Sequence, residues 1–120
     1  MKILITDDNP GDRRLMREAL SEVAVAFEVQ EAETGEEAVD KARAWKPDLV
    51  ILDTNLPGID GFETCRQIKA ISGISLKVIM LTGVVDAVDA GKAREAGADG
   101  YTVKTSDYQY YLERVRQFIQ

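Results

Sequence analysis

Five short apolar runs alternate along the chain with stretches in which apolar residues recur every three or four positions. The runs cover residues 2–6, 27–32, 49–52, 77–81 and 101–103. They are short, mostly rich in β-branched residues and bounded by polar or turn residues, which predicts strands, and the unbroken apolar run before Asp53 predicts one buried on both faces. Between them the spacing turns helical. Pro10 suits a first helical position, and Leu15, Met16, Ala19, Leu20 and Val23 predict a helix over about 10–22. Thr34-Gly35-Glu36-Glu37 opens a second helix carrying Ala38, Val39, Ala42 and Trp45, which Pro47 stops; Thr34 with Glu37 three residues later fits a capping box. Asp60 caps a third helix over about 61–70, with Phe62, Cys65, Ile68 and Ile71 on its apolar face and Gly73 in the exit loop. Ala87, Ala90, Ala93 and Ala96 mark a fourth helix of small residues. Gly91 in its interior costs roughly 1 kcal/mol against Ala, so this helix is expected to be the least stable. Ser106 and Asp107 start a fifth, with Tyr108, Tyr111, Leu112, Val115, Phe118 and Ile119 at helical spacing and Tyr110 off the stripe and exposed.

Strands that alternate with helices over short connections call for a parallel sheet with helices on both faces, joined by right-handed crossovers. The 120 residues fit one α/β domain with one core, without linker, internal repeat or low-complexity segment. A formal net charge of -6 disfavours direct binding to nucleic acid or to an anionic membrane, because the average field repels phosphate. The first apolar run is too short for a signal peptide and no run reaches membrane-spanning length, which points to the cytoplasm. The single cysteine, Cys65, excludes an internal disulfide and a multi-cysteine metal site, and it suits packing within its helix. With no histidine in the chain, a Ser-His-Asp triad and histidine-ligated zinc are excluded. Its chemistry rests on oxygens, Lys and Arg.

The third strand stops abruptly at Asp53 before Thr54-Asn55-Leu56-Pro57-Gly58, so this carboxylate sits at a strand's carboxyl end, the edge where open α/β sheets bind ligands. The same edge collects Asp7 and Asp8 after the first strand, Thr82 with Gly83 after the fourth and Lys104 after the fifth. Three carboxylates brought together repel unless a cation lies among them, and an all-oxygen set suits Mg²⁺ or Mn²⁺. With the metal and Lys104 supplying positive charge, and the Thr82 hydroxyl and nearby backbone N–H groups supplying donors, the edge can hold a phosphoryl group and Asp53 can act as its nucleophile. Each residue also has an ordinary reading: Asp7 and Asp8 as helix caps, Asp53 as a turn starter, Thr82 as a strand-end hydroxyl and Lys104 as a solvated charge. No glycine-rich nucleotide motif is present.

The acid pair Asp7-Asp8, the strand-end Asp53 with Leu56-Pro57-Gly58-Ile59-Asp60-Gly61, the Thr82-Gly83 step, Gly97-Ala98-Asp99-Gly100-Tyr101 and Lys104 resemble, over essentially the whole chain, the receiver domain of two-component response regulators. The resemblance implies a flavodoxin-like doubly wound (βα)5 fold with strand order 2-1-3-4-5. It implies that Asp53 is a phosphoacceptor served by a histidine kinase or phosphotransfer protein. Mg²⁺ would be held by Asp8, Asp53 and the Asn55 backbone carbonyl, with Asp7 acting through water. Thr82 and Lys104, with the Gly83 backbone beside them, would bind the phosphoryl oxygens. Thr82 and Tyr101 would form the switch, resetting the surface of the fourth helix, fifth strand and fifth helix for an output partner or a homodimer. Such a chain turns over nothing but its own phosphoryl group.

Two positions depart from the family. Thr105 stands where a proline usually follows the strand-five lysine in a cis peptide, so either a non-proline cis bond costing about 2.5–4 kcal/mol is kept or the Lys104 backbone is rerouted; the expectation is a Lys104 less firmly placed than usual. Val84, two residues after Thr82, cannot orient water, which predicts slow loss of phosphate. Two other readings compete. An aspartate-nucleophile phosphohydrolase would want an acid where Asn55 stands, and room for a cap domain. A receiver-like module that interacts without phosphorylation would not need the five site residues.

Overall fold

The computed structural model describes residues 1–23, 26–71, 75–83, 86–105 and 108–118. Five strands, β1 (Lys2–Thr6), β2 (Glu28–Ala32), β3 (Leu49–Asp53), β4 (Lys77–Thr82) and β5 (Gly100–Val103), form one parallel sheet in the order β2-β1-β3-β4-β5. They alternate with α1 (Pro10–Leu20), α2 (Gly35–Trp45), α3 (Gly61–Lys69), α4 (Ala87–Glu95) and α5 (Gln109–Phe118). This is the doubly wound (βα)5 arrangement expected from the alternation. Gly73, Val84, Ser106, Asp107 and Ile119, each given a place by the sequence, lie outside the described residues.

The two-residue period of the strands divides the core into two layers. Leu4, Val50, Leu52, Val78 and Met80 face α2, α3 and α4, where Ala38, Val39, Ala42, Cys65, Ile68 and Ala93 meet them. Ile3, Ile5, Leu49, Ile51, Ile79 and Leu81 face α1 and α5, against Met16, Leu20, Tyr111, Leu112 and Val115. The central strands are therefore apolar on both sides, which is why they read as unbroken runs. The Tyr111 hydroxyl donates to the Met16 carbonyl at 3.3 Å, tying α5 to α1.

The buried face of α1 differs from its expected stripe. Leu15 is 42% exposed, while Arg13 is buried in line with Met16 and Leu20. The reason is polar: Arg13 Nη1 donates to the Asp7 carbonyl at 2.7 Å and Nε pairs with Glu31 at 2.8 Å, which orients the helix and rolls Leu15 outward. Tyr108 is buried as expected but precedes the α5 helix, in a left-handed conformation with φ 56°. Tyr110 is 53% exposed, as its position off the stripe predicts. The Thr34 side chain accepts from the Glu37 N–H, but Glu37 reaches back to the N–H of Glu33, one residue earlier than the capping-box pattern predicts. Within α4 only Ala93 is buried, consistent with its expected weakness.

Candidate functional site

The carboxyl ends of β1, β3, β4 and β5 bring the acids, Thr82 and Lys104 to one edge. Backbone pairing holds that edge past the last strand residues. The Asp7 N–H donates to the Ala32 carbonyl at 3.1 Å and the Lys104 N–H to the Thr82 carbonyl at 2.7 Å. The loop after β3 is tied down by Thr54 N–H to the Leu81 carbonyl at 2.9 Å and by Gly61 N–H to the Thr54 carbonyl at 3.1 Å. Gly61 has no space for a side chain: a Cβ there would stand 2.2 Å from the Asp53 carbonyl oxygen. Gly58 turns the loop at φ +76°, and the Glu36 carboxylate of α2 accepts from the Ile59 N–H at 3.3 Å.

Asn9, not the acid pair, caps α1, its side chain accepting from the Asp12 N–H. Asp7 and Asp8 are thereby left to the site. Asp7 is fully buried; its Oδ1 accepts from the Asn9 N–H at 2.9 Å and its Oδ2 from the Lys104 ammonium at 2.6 Å. Asp53 accepts from the Asn55 N–H at 3.1 Å through Oδ1 and from Lys104 at 3.3 Å through Oδ2. Ligand oxygens of Asp7, Asp8 and Asp53 lie within 4.8 Å of one another. Among the described residues this is the one cluster of metal-ligating side chains, and its hard, anionic, all-oxygen character fits a divalent cation such as Mg²⁺.

Burial raises the Asp53 pKa above the ordinary carboxylate value, and the nearby Asp7 charge adds to this, while the Asn55 N–H and the Lys104 ammonium pull the other way. Burial works against the charged form of Lys104, but the hydrogen bond it donates to Asp7 and the charges of Asp53 and Asp7 outweigh it and hold the ammonium well above its usual range. Lys104 is therefore a permanent cation beside a carboxylate that is costly to keep charged.

The site opens onto a cavity of about 610 Å³ that Asp53, Asn55, Phe62, Thr82, Gly83 and Lys104 share. Tyr101 lies on β5, the strand that leads into Lys104, with its hydroxyl buried and without a hydrogen-bond partner among the described residues. No cis peptide occurs among the described residues, so the Lys104–Thr105 bond is trans, and the ammonium nonetheless stands among Asp7, Asp12 and Asp53.

Arg13 and Asp12, both of this neighbourhood, are given no role by the sequence pattern. Arg13 had an available signal, since a charged residue three and seven positions before Met16 and Leu20 falls on the buried stripe. Asp12, whose Oδ2 lies 3.2 Å from the Lys104 ammonium, had none, because an acid in a first helical turn is ordinary.

A doubly wound sheet with an acid cluster and a lysine at its carboxyl edge places the chain among the open α/β sheets, in which that edge is where ligands bind. The family model for the response regulator receiver domain matches residues 3–116. The chain belongs to the family of response regulator receiver domains. It is 37% identical over 119 residues to the transcriptional regulatory protein ResD of Bacillus subtilis, covering 99% of this chain and 48% of that one. It spans about half the length of the curated relatives it matches. A putative response regulator from Chloroflexus aurantiacus superposes with a TM-score of 0.87 at 31% identity, covering 98% of this chain and 95% of that one. The BeF3-activated receiver domain of DrrB, a Thermotoga maritima protein, does so with a TM-score of 0.83 at 33% identity, covering 98% and 96%.

Proposed function

We propose that this chain is a cytoplasmic phosphoacceptor switch in which Asp53 takes a phosphoryl group from a phosphohistidine of a histidine kinase or phosphotransfer protein. The observation that carries the reading is the Lys104 ammonium held 2.6 Å from Asp7 and 3.3 Å from Asp53 at the mouth of the cavity, beside a three-carboxylate cluster. In the transfer the donor's N–P bond breaks as an Asp53 O–P bond forms, and the imidazole leaves. Lys104 offsets charge on the phosphoryl oxygens, and the Thr82 hydroxyl and Gly83 backbone, on the cavity wall, are suited to donate to them. Asp8, Asp53 and the Asn55 carbonyl, with Asp7 through water, would hold Mg²⁺. Bound there, the ion would relieve the repulsion among the acids and neutralise phosphoryl charge.

The readout runs through Tyr101. Leaving a buried hydroxyl unpaired costs about 1–3 kcal/mol, which favours a second position of the ring in which the hydroxyl is satisfied. A phosphoryl group that draws Thr82 toward it biases the balance between the two positions and resets the surface of α4, β5 and α5 for an output domain, a partner or a second copy. The weakly packed α4 keeps the change inexpensive.

Intact mass after incubation with Mg²⁺ and phosphoramidate, beside Asp53→Asn, tests this. A gain of one phosphoryl in the wild type alone supports the switch. No gain in a folded protein refutes it and favours a receiver-like module that interacts without phosphorylation. Slow decay of the product is the outcome expected from Val84, and decay within seconds contradicts it.

A further inference from the structure

An ammonium has three N–H bonds, and the Lys104 ammonium meets three carboxylates: Asp7 at 2.6 Å, Asp12 at 3.2 Å and Asp53 at 3.3 Å. Two of these acceptors change their chemistry if Asp53 is the phosphoacceptor. The Asp53 carboxylate would become an acyl phosphate, and Asp7 would share its charge with any cation held by the acid cluster of which it is a member. Asp12 lies outside that cluster and is neither the phosphoacceptor nor a member of the acid group.

Its place is well determined. Asp12 sits in the first turn of α1, where its own N–H is accepted by Asn9 Oδ1 at 3.1 Å. The next residue, Arg13, is buried and bonded to the Asp7 carbonyl at 2.7 Å. The helix start is thus locked to the end of β1, and the Asp12 carboxylate projects from a rigid turn. Lys104, by contrast, is a flexible four-carbon stem leaving a strand that continues into Thr105 rather than into a ring-constrained residue.

We propose that Asp12 is a positioning residue for Lys104: it commits one ammonium N–H to α1, so that the other two stay aimed at Asp7 and Asp53, where the phosphoryl group arrives. The proposal rests on the phosphoacceptor reading of Asp53. It assigns a role to a side chain 92 residues from its lysine in the chain.

Two measurements on the full chain test it. In protein with ¹⁵N-labelled lysine side chains and no divalent ion, an ammonium with all its N–H bonds accepted exchanges slowly and gives its own resonance. Lys104 is assigned by loss of that signal in Lys104→Ala. Asp12→Ala is expected to broaden or abolish it, with Asp12→Asn as the second variant should the alanine lower the folded fraction. An unchanged resonance, or none in the wild type, overturns the proposal.

The second measurement is the rate of phosphorylation by phosphoramidate with Mg²⁺ in the wild type, Asp12→Ala, Lys104→Ala and the double variant. Asp12→Ala is expected to slow the wild type about fivefold, the scale of a partly exposed charge-assisted bond, and to leave the Lys104→Ala rate unchanged. Equal slowing in both backgrounds means that Asp12 acts through helix stability alone and overturns the proposal, as does no slowing in either. If the wild type takes up no phosphoryl group while the lysine resonance still responds to Asp12→Ala, the phosphoacceptor reading fails and the placement of Lys104 by Asp12 stands.

Discussion

Gly61→Ala and Gly91→Ala add the same methyl group to two helices and should move stability in opposite directions. At Gly61, the buried first residue of α3, the new Cβ would stand 2.2 Å from the Asp53 carbonyl oxygen and 2.7 Å from the Thr54 Cα. Both are backbone atoms at the end of β3 and in the loop that follows Asp53, the proposed phosphoacceptor, and that loop is pinned by the Thr54–Leu81 hydrogen bond. Because the clashing atoms are backbone and cannot swing away, overpacking here costs about 3 kcal/mol, the upper end of its usual range, against a gain of at most ~1 kcal/mol for replacing glycine in a helix, so a net loss of about 2 kcal/mol is expected. For a chain of this size that lowers the melting temperature by about 8 °C. At Gly91, in the interior of α4, a Cβ meets nothing within 4 Å, so only the helix preference remains and the variant should gain about 0.5–1 kcal/mol, or about 2–4 °C. Thermal and urea unfolding followed by far-ultraviolet circular dichroism reads both. A Gly61→Ala midpoint equal to or above the wild type, or a lowered midpoint for Gly91→Ala, would refute the reasoning. Because Gly61→Ala must push on Asp53 itself, its phosphoramidate reactivity should fall in the variant that remains folded.

Other consequences concern charge and burial. The Asp53 pKa is higher in the folded state than the 3.8 of a free carboxyl, so its contribution to stability is fully present below that value and is lost as pH rises through the folded value. Asp53→Asn, which cannot ionise, should therefore gain on the wild type in urea midpoint between about pH 4 and pH 8 without divalent ions; a difference that is flat or shrinks with pH contradicts this. Cys65 is buried and its thiol is pushed up to about 11 by desolvation, so it should stay unmodified by thiol reagents at neutral pH until the protein unfolds, and rapid labelling of the native chain would count against the packing described. Arg13→Ala removes the partner of the Asp7 carbonyl and of Glu31 from a buried position, with an expected loss of about 2–3 kcal/mol in urea unfolding; a loss below ~0.5 kcal/mol would mean that water replaces it freely.

Local pattern carries most of the architecture. Buried strands such as Leu49 to Leu52 are apolar on both faces, and a helix packed on one face, such as α3 with Cys65 and Ile68, must repeat every three or four residues. Neither fact needs knowledge of what lies opposite. The acid edge follows too, since parallel strands joined by short crossovers put their carboxyl ends together, and Asp7, Asp8, Asp53, Thr82 and Lys104 all stand at such ends. The tertiary structure decided which of several equivalent local choices is realised. Asn9 rather than its two acidic neighbours caps α1, and Arg13 goes in while Leu15 goes out because the Asp7 carbonyl and Glu31 offer the guanidinium partners. Glu36 of α2 steadies the loop after β3, and Asp12 reaches Lys104 across 92 residues. Periodicity reports which face of a segment is buried, whereas a hydrogen bond between side chains on separate elements depends on distances of a few tenths of an ångström that exist only once every element has been packed.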